Sequence, residues 1–157
     1  MKYIVISPYS RKIAETNEKS PKDYPYWEKL IELIKEKEIK IIQAIGYDDE
    51  PIIKGVDESV KYKLDELKTF LLNDDCLCFI SVDNFMGHFG KFIGKRGIVL
   101  WGTSDPNIFG YEENINLLKS RDNLRKFQFA KWCIEEYRED VFVNPEIVIK
   151  ALEENFF

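Results

Sequence analysis

The chain has 157 residues, of which 45% are hydrophobic and 32% charged, and its formal net charge is −5. This length and composition are typical of one globular domain with a core of its own. Because nucleic-acid binding relies on basic surfaces that displace counterions, we expect no general affinity of this acidic chain for nucleic acids.

The amino terminus predicts a buried strand over Lys2–Ser7, followed by a polar segment over Pro8–Asp23. The apolar stretch is too short for a secretion signal, and no window contains the roughly 18 apolar residues of a membrane span. We therefore expect a soluble, cytoplasmic protein. The polar segment is too long for a tight turn, which makes it a candidate functional loop.

Apolar residues at helical spacing predict a helix that starts near Pro25. The next predicted elements are, in order, strands over Ile39–Ile45 and Pro51–Val56, a helix over Leu64–Leu72, a strand over Cys76–Val82, a loop and short helix over Asp83–Gly94, a strand over Gly97–Trp101, and helices over Leu124–Tyr137 and Pro145–Leu152. Strands alternate with helices along the chain. This predicts a single Rossmann-like α/β domain over residues 1–157, with a mostly parallel sheet of about five strands flanked by helices.

The three cysteines indicate reduced thiols rather than a disulfide framework, because their number is odd and they form no C-x-x-C pair. Cys76 and Cys78 alternate within one predicted strand, so we predict that both face the same side of the sheet. We expect no zinc site. Asp48 and Asp49 are at most a weak indication of a different metal.

Polar side chains follow the predicted strands at the points where they end. In an open parallel sheet, ligands bind outside these carboxyl ends. The candidates are Ser7 and Ser10 after the first strand, Glu50 after the second, and Asp83, Asn84 and His88 after the strand over Cys76–Val82. We predict that these loops form one pocket for an anionic ligand.

Two of these segments suit a phosphate group in particular. At Asp83–His88 a strand gives way to a helix, and the exposed N–H groups of a helix start attract phosphate. Lys22 precedes a predicted helix and could contact a diphosphate as a mobile point charge, with Lys12 and Lys19 as alternatives. Taken singly, these residues also fit plain structural roles as helix caps or surface charges.

The order of these segments resembles the C-terminal half of family 9 glycosyltransferases, the heptosyltransferase type. Ser81–His88 (SVDNFMGH) is similar to the family's D-x-G-x-x-H segment, and Gly97–Pro106 (GIVLWGTSDP) is similar to its strand and G-x-T-x-P segment. Upstream, Ile4–Ser10, Lys22–Trp27 and Gly46–Glu50 follow in the family's order. The resemblance covers nearly the whole chain.

The resemblance implies a GT-B donor domain that binds a nucleotide-diphosphate sugar, such as ADP-heptose, without a metal or another cofactor. It implies that Lys22 contacts the diphosphate and that Glu50 holds the ribose. The remaining donor-site residues that it implies are Ser7, Ser10, Asp83, Asn84, Phe85, Met86, Gly87 and His88. Phe85 stands where the family has glycine, which narrows the phosphate site or changes the sugar accepted.

The family's enzymes have two domains, and the acceptor-binding domain is not expected within these residues. We therefore expect glycosyl transfer to need a partner chain or self-association, and we assign no catalytic residue. Two alternatives stay open, since a fold does not fix a function. One is a module that binds a nucleotide or nucleotide sugar without turning it over. The other is a scaffold that binds a protein.

Overall fold

The computed structural model describes residues 1–10, 19–129 and 135–157. Strands and helices alternate within these ranges, which confirms the predicted α/β class. In chain order the elements are β1 (Tyr3–Ser7), α1 (Trp27–Lys35), β2 (Lys40–Ala44), β3 (Glu58–Val60), α2 (Leu64–Leu72), β4 (Cys76–Val82), α3 (Phe85–Ile93), β5 (Gly97–Trp101), α4 (Pro106–Phe109), β6 (Ile115–Leu118) and α5 (Pro145–Phe156).

In the described ranges, these strands form one six-stranded sheet in the order β3-β2-β1-β4-β5-β6, and every neighbouring pair is parallel. This is the strand order of dinucleotide-binding domains. The chain builds outward from β1 to β2 and β3, then crosses over so that β4 lies on the other side of β1. The carboxyl ends of β1 and β4 therefore form the crevice in which such sheets bind ligands.

Both faces of the sheet are covered by helices, which explains why the central strands are apolar on both sides. Ile4 and Ile6 of β1 pack in the core that also contains residues of α1 and α5. Val5 faces the opposite core, which contains residues of α2 and α3. None of the helices in the described ranges is both long and apolar enough to cross a bilayer. The predicted cytoplasmic location stays a prediction.

The two cysteines of β4 lie on opposite faces, so the prediction that they share a face is wrong. Cys76 packs with Phe79 in the core under α3, whereas Cys78 belongs to the core under α1 and α5. The reason is a register shift. Tyr3 pairs with Cys76 and Val5 with Phe79, so β4 contains one residue more than β1 at this point. A bulge of this kind turns the following side chains to the other face.

Helix α3 lies close to the sheet because glycines flank Phe79. A Cβ atom on Gly90 of α3 would lie 2.4 Å from Cε1 of Phe79, and one on Gly97 of β5 would lie 2.5 Å from atoms of the same ring. The ring therefore fills space that side chains at those two positions would take. This packing fixes the amino end of α3 beside the carboxyl end of β4.

Two predicted elements differ from the structure, and one strand was not predicted. The third strand is Glu58–Val60 rather than Pro51–Val56, and β6 was not predicted at all. The predicted helix over Leu124–Tyr137 is absent from the described part, 124–129 and 135–137, while 130–134 lies outside the described residues. Hydrogen bonds there run to the loop after β5 instead of along a helix: the N–H of Arg125 donates to the carbonyl of Thr103 at 2.9 Å.

Candidate functional site

An open cleft of about 670 Å³ lies at the carboxyl ends of β1 and β4. Its walls come from the loops that follow β1, β2 and β3 and from the start of α3. The lining residues are Ser7, Tyr9, Ser10, Lys22, Gly46, Tyr47, Asp48, Lys61, Asp83, Asn84 and Phe85. The cleft therefore occupies the crevice that the strand order predicts.

A charged pair crosses the cleft between its two main walls. Nζ of Lys22, on the loop after β1, lies 3.0 Å from Oδ2 of Asp83, at the end of β4. Both side chains are largely buried, with 20% and 12% of their surface exposed. The pair places an ammonium group next to the amino end of α3, where the helix dipole is positive.

Asn84 joins the same two walls through neutral hydrogen bonds. Its Oδ1 caps α3 by accepting from the N–H of Met86 at 2.9 Å. Its Nδ2 lies 3.1 Å from the carbonyl of Ser7 and 3.0 Å from the carbonyl of Tyr9. The geometry of a helix start leaves the N–H groups of Phe85 and Gly87 without partners inside the helix.

A buried carboxylate organises the loop after β1. Oδ1 of Asp23 accepts from the N–H of Ser10 at 3.0 Å, and the Ser10 hydroxyl donates to the Ser20 hydroxyl at 2.6 Å. The N–H of Lys22 donates to the same Ser20 oxygen at 3.2 Å. Burial raises the pKa of Asp23 to about 6, although the bonds from Ser10 oppose this shift. The Ser10 hydroxyl thus donates its hydrogen bond within the loop.

Glu50 lies behind the cleft rather than among its lining residues. Its carboxylate accepts from Nε2 of Gln43 at 2.8 Å and from the N–H of Gly46 at 3.1 Å. Burial raises the pKa of Glu50, and these two bonds oppose the shift. These contacts hold the loop that carries Gly46 and Tyr47, so the Glu50 carboxylate supports the cleft wall from behind.

The residues of α3 divide between the cleft, the core and a neighbouring recess. Phe85 is 54% exposed and stacks on Phe89 with the ring centres 5.3 Å apart. The Met86 side chain is buried in the core. Gly87 and His88 line a narrow recess that shares Asp83 and Asn84 with the cleft. There, Nδ1 of His88 lies 2.7 Å from the hydroxyl of Tyr111.

Five lining residues of the cleft were not predicted as donor-site residues, namely Tyr9, Gly46, Tyr47, Asp48 and Lys61. Lys61 directly follows the true β3, and it was overlooked because the third strand was predicted too early in the chain. Lys61 pairs with Asp48 and holds the pKa of that carboxyl below its usual range. No three metal-ligating side chains converge among the residues that the structure describes. Lys12 lies outside the described residues.

The solved structures that this chain resembles include heptosyltransferases. E. coli heptosyltransferase WaaC, solved with ADP, superposes with a TM-score of 0.65 and 19% identity, over 98% of this chain and 44% of WaaC. E. coli ADP-heptose LPS heptosyltransferase II gives a TM-score of 0.68 and 10% identity, over 99% of this chain and 46% of that enzyme. The dodecameric iron-containing heptosyltransferase TibC, solved with ADP-D-β-D-heptose, superposes with a TM-score of 0.66 and 13% identity, over 99% of this chain and 46% of TibC.

The chain has the fold of the C-terminal half of a family 9 glycosyltransferase. The resemblance inferred from the sequence is confirmed at the level of the fold, and identities of 10–19% carry it no further. The chain spans less than half the length of these heptosyltransferases. No family model matches the chain, and no curated protein does.

Proposed function

We propose that the chain binds a nucleotide-diphosphate sugar in the cleft and forms the donor-binding part of a glycosyltransferase. The observation that carries the proposal is the juxtaposition of the Lys22–Asp83 pair with the capped start of α3, at the ends of β1 and β4. An ammonium group and a helix start side by side are complementary to phosphate oxygens. The solved neighbours that contain ADP or an ADP-sugar support the choice of ligand class.

The chemistry that this cleft would supply is stabilisation of the departing diphosphate. When the bond between the sugar and the phosphate breaks, negative charge grows on the phosphate oxygens. A preorganised ammonium and helix N–H groups at that point lower the barrier because they do not have to reorient during the reaction. A base that accepts the proton of the incoming hydroxyl is also needed. We propose that it comes from an acceptor-binding partner chain or from self-association.

Phe85 would set which sugar the cleft accepts. Its ring is exposed at the edge of the cleft and is held by stacking on Phe89. A ring at this position offers an apolar face and removes space near the helix start. We therefore expect Phe85→Gly to broaden the range of sugars bound, with little loss of the nucleotide diphosphate itself.

Thermal unfolding with ADP-, UDP-, GDP- and CMP-sugars tests donor binding. A ligand at about 100 times its Kd adds about 2.7 kcal/mol to the free energy of unfolding, which raises Tm measurably. Lys22→Ala should abolish most of the rise, whereas Lys150→Ala, the same charge change on the exposed face of α5, should leave it intact. An equal rise in both variants, or none in the unmodified protein, contradicts the proposal.

A module that holds a nucleotide without turnover is the second candidate, since the matched region is under half of each solved enzyme. Adding an acceptor-binding half in trans, with labelled donor, separates the two. Sugar transfer that is lost in Lys22→Ala supports the transferase. Donor binding without transfer to any acceptor supports the module.

A further inference from the structure

A second pocket lies on the other side of the loop after β1. It has a volume of about 410 Å³ and shares one wall residue, Tyr9, with the cleft. Aromatic side chains dominate its described lining, namely Tyr9, Tyr24, Tyr26, Trp27 and Tyr137. Neither the resemblance nor the proposed donor site assigns a role to this pocket.

Long-range hydrogen bonds fix the aromatic walls in place. The Tyr24 hydroxyl donates to the carbonyl of Val143 at 2.8 Å, and the Tyr137 hydroxyl donates to the carbonyl of Asp23 at 3.0 Å. The Tyr26 hydroxyl donates to the carbonyl of Glu139 at 3.3 Å. Because these hydroxyls are engaged by the backbone, the rings offer mainly aromatic surface to a ligand. The pocket is therefore largely preformed, which reduces the entropy lost on binding.

Two acidic and two basic side chains line the pocket beside the aromatic rings. Asp23 and Glu28 both contribute to its lining. Burial raises the pKa of the Tyr9 hydroxyl to about 12, and the charges of Asp23, Glu50 and Glu28 add to the shift. Nζ of Lys29, a further lining residue, is 3.2 Å from Oε2 of Glu32.

The chain already places one ammonium group against this aromatic wall. Nζ of Lys19 lies 5.3 Å from the centre of the Tyr137 ring. This is within the distance at which a cation is attracted by the negative face of an aromatic ring. The charge of Lys19 also acts on Asp23, whose pKa it lowers against the effect of burial.

We propose that this pocket binds an organic ammonium group, carried by an amino sugar or by a choline-type head group. The aromatic faces attract a cation, and the Asp23 and Glu28 carboxylates compensate its charge. Its aromatic walls distinguish the pocket from the cleft on the other side of Tyr9, where Lys22 lies beside the start of α3. In this arrangement the Lys19 ammonium occupies the position that a ligand ammonium would take. The site does not depend on whether the cleft binds a nucleotide.

Titration calorimetry on the whole chain, without nucleotide, tests the site with two matched pairs of ligands. Glucosamine is compared with glucose, and choline is compared with 3,3-dimethylbutan-1-ol, its uncharged counterpart of the same shape. At least one cation should bind about five- to tenfold more tightly than its neutral counterpart. A preference for glucosamine or for choline identifies the source of the ammonium. Equal affinities within both pairs, or no binding, overturn the proposal.

Three variants make the test specific. Lys19→Ala should tighten cation binding severalfold because it uncovers the Tyr137 ring, whereas Lys150→Ala should have no effect. Glu28→Gln, at the start of α1, should weaken cation binding about fivefold and leave the neutral ligands unchanged. Weaker binding in Lys19→Ala, or unchanged binding in Glu28→Gln, contradicts the assignment. Since both positions are at the protein surface or in a loop, the fold should survive, which the thermal unfolding curve checks.

Discussion

The two main walls of the cleft are held in place by different physical means. The wall formed by α3 is fixed by packing, because Phe79 fills the space beside Gly90 and Gly97. The wall formed by the loop after β1 is fixed by hydrogen bonds around the buried carboxylate of Asp23. We therefore expect the stability of the α3 wall to be independent of pH and that of the loop wall to depend on pH, although both walls hold parts of the same candidate site.

The largest effect is expected from overpacking the α3 wall. In Gly90→Ala, the new Cβ would lie 2.4 Å from Phe79 and 2.9 Å from the carbonyl of Lys95. We expect the free energy of unfolding to fall by about 3 kcal/mol, the upper end of the usual cost of overpacking, at every pH. Denaturant unfolding at several pH values measures it.

Gly87→Ala on the same helix is the matched control. Its Cβ would meet no atom closer than 3.9 Å. Alanine is the better helix former by up to about 1 kcal/mol, so the variant should be as stable as the unmodified protein or slightly more so. Equal losses in both variants would show that packing against Phe79 does not set the position of α3.

The next largest effect concerns the polar wall. The pKa of Asp23 is about 6 in the folded chain, against about 3.9 when unfolded. The folded state therefore binds this proton more tightly. The contribution of this proton to the free energy of unfolding is therefore fully present below about pH 4 and is lost as pH rises through 6.

We expect Asp23→Asn to remove this loss, because an amide can still accept from the N–H of Ser10 but carries no charge. Above pH 7 the variant should gain about 2 to 3 kcal/mol over the unmodified protein. The difference between the two should shrink as pH falls from 6 to 4. A constant difference over that range would show that the Asp23 charge does not govern this wall.

The smallest of the three effects lies where the walls meet. Asn84→Ala removes the cap on Met86 and the contacts to the carbonyls of Ser7 and Tyr9. We expect the free energy of unfolding to fall by about 1 to 2 kcal/mol and donor binding to weaken, because the walls lose one of the contacts that join them. Asn84→Ser keeps a capping oxygen but has no amide donor, so it should recover stability more fully than binding. Full recovery of both would show that only the cap matters.

The elements that were predicted correctly from the sequence are those with a clear apolar pattern of their own. The bounds of α2, β4 and β5 agree with the predictions over Leu64–Leu72, Cys76–Val82 and Gly97–Trp101. Each of these segments has a helical or a continuous apolar pattern, and polar residues or a glycine interrupt that pattern at both ends. The crevice at the ends of β1 and β4 was also predictable, because it follows from strand order in a parallel sheet.

The elements that were predicted poorly are those whose structure depends on hydrogen bonds to distant segments. Strands β3 and β6 are short outer strands with no fully buried residue, and only the three-residue β3 lacks an apolar run, since β6 reads INLL. Their backbone bonds to β2 and β5 make them strands. The segment 124–129 has a helix-like sequence, yet Arg125 and Gln128 bond to the loop after β5.

Within the candidate site, the sequence identified residue types and the structure decided what each one contacts. The loop position of Lys22 and the helix start at Asn84 were readable from neighbouring residues. The pairing of Lys22 with Asp83, the burial of Glu50 behind Gly46 and the contact of His88 with Tyr111 were not. Those contacts join residues from separate loops, whose approach depends on the crossover between β1 and β4.

By itself, the sequence determined an α/β domain, its inner strands and the edge of the sheet where a ligand would bind. These features depend on local periodicity and on the rule that parallel strands end at one edge. The tertiary structure alone placed Lys22 in the lining of the cleft and Asp23, its neighbour in the chain, in the lining of the aromatic pocket on the other side of Tyr9. The direction of each side chain is set by partners distant in sequence, and no local pattern contains that information.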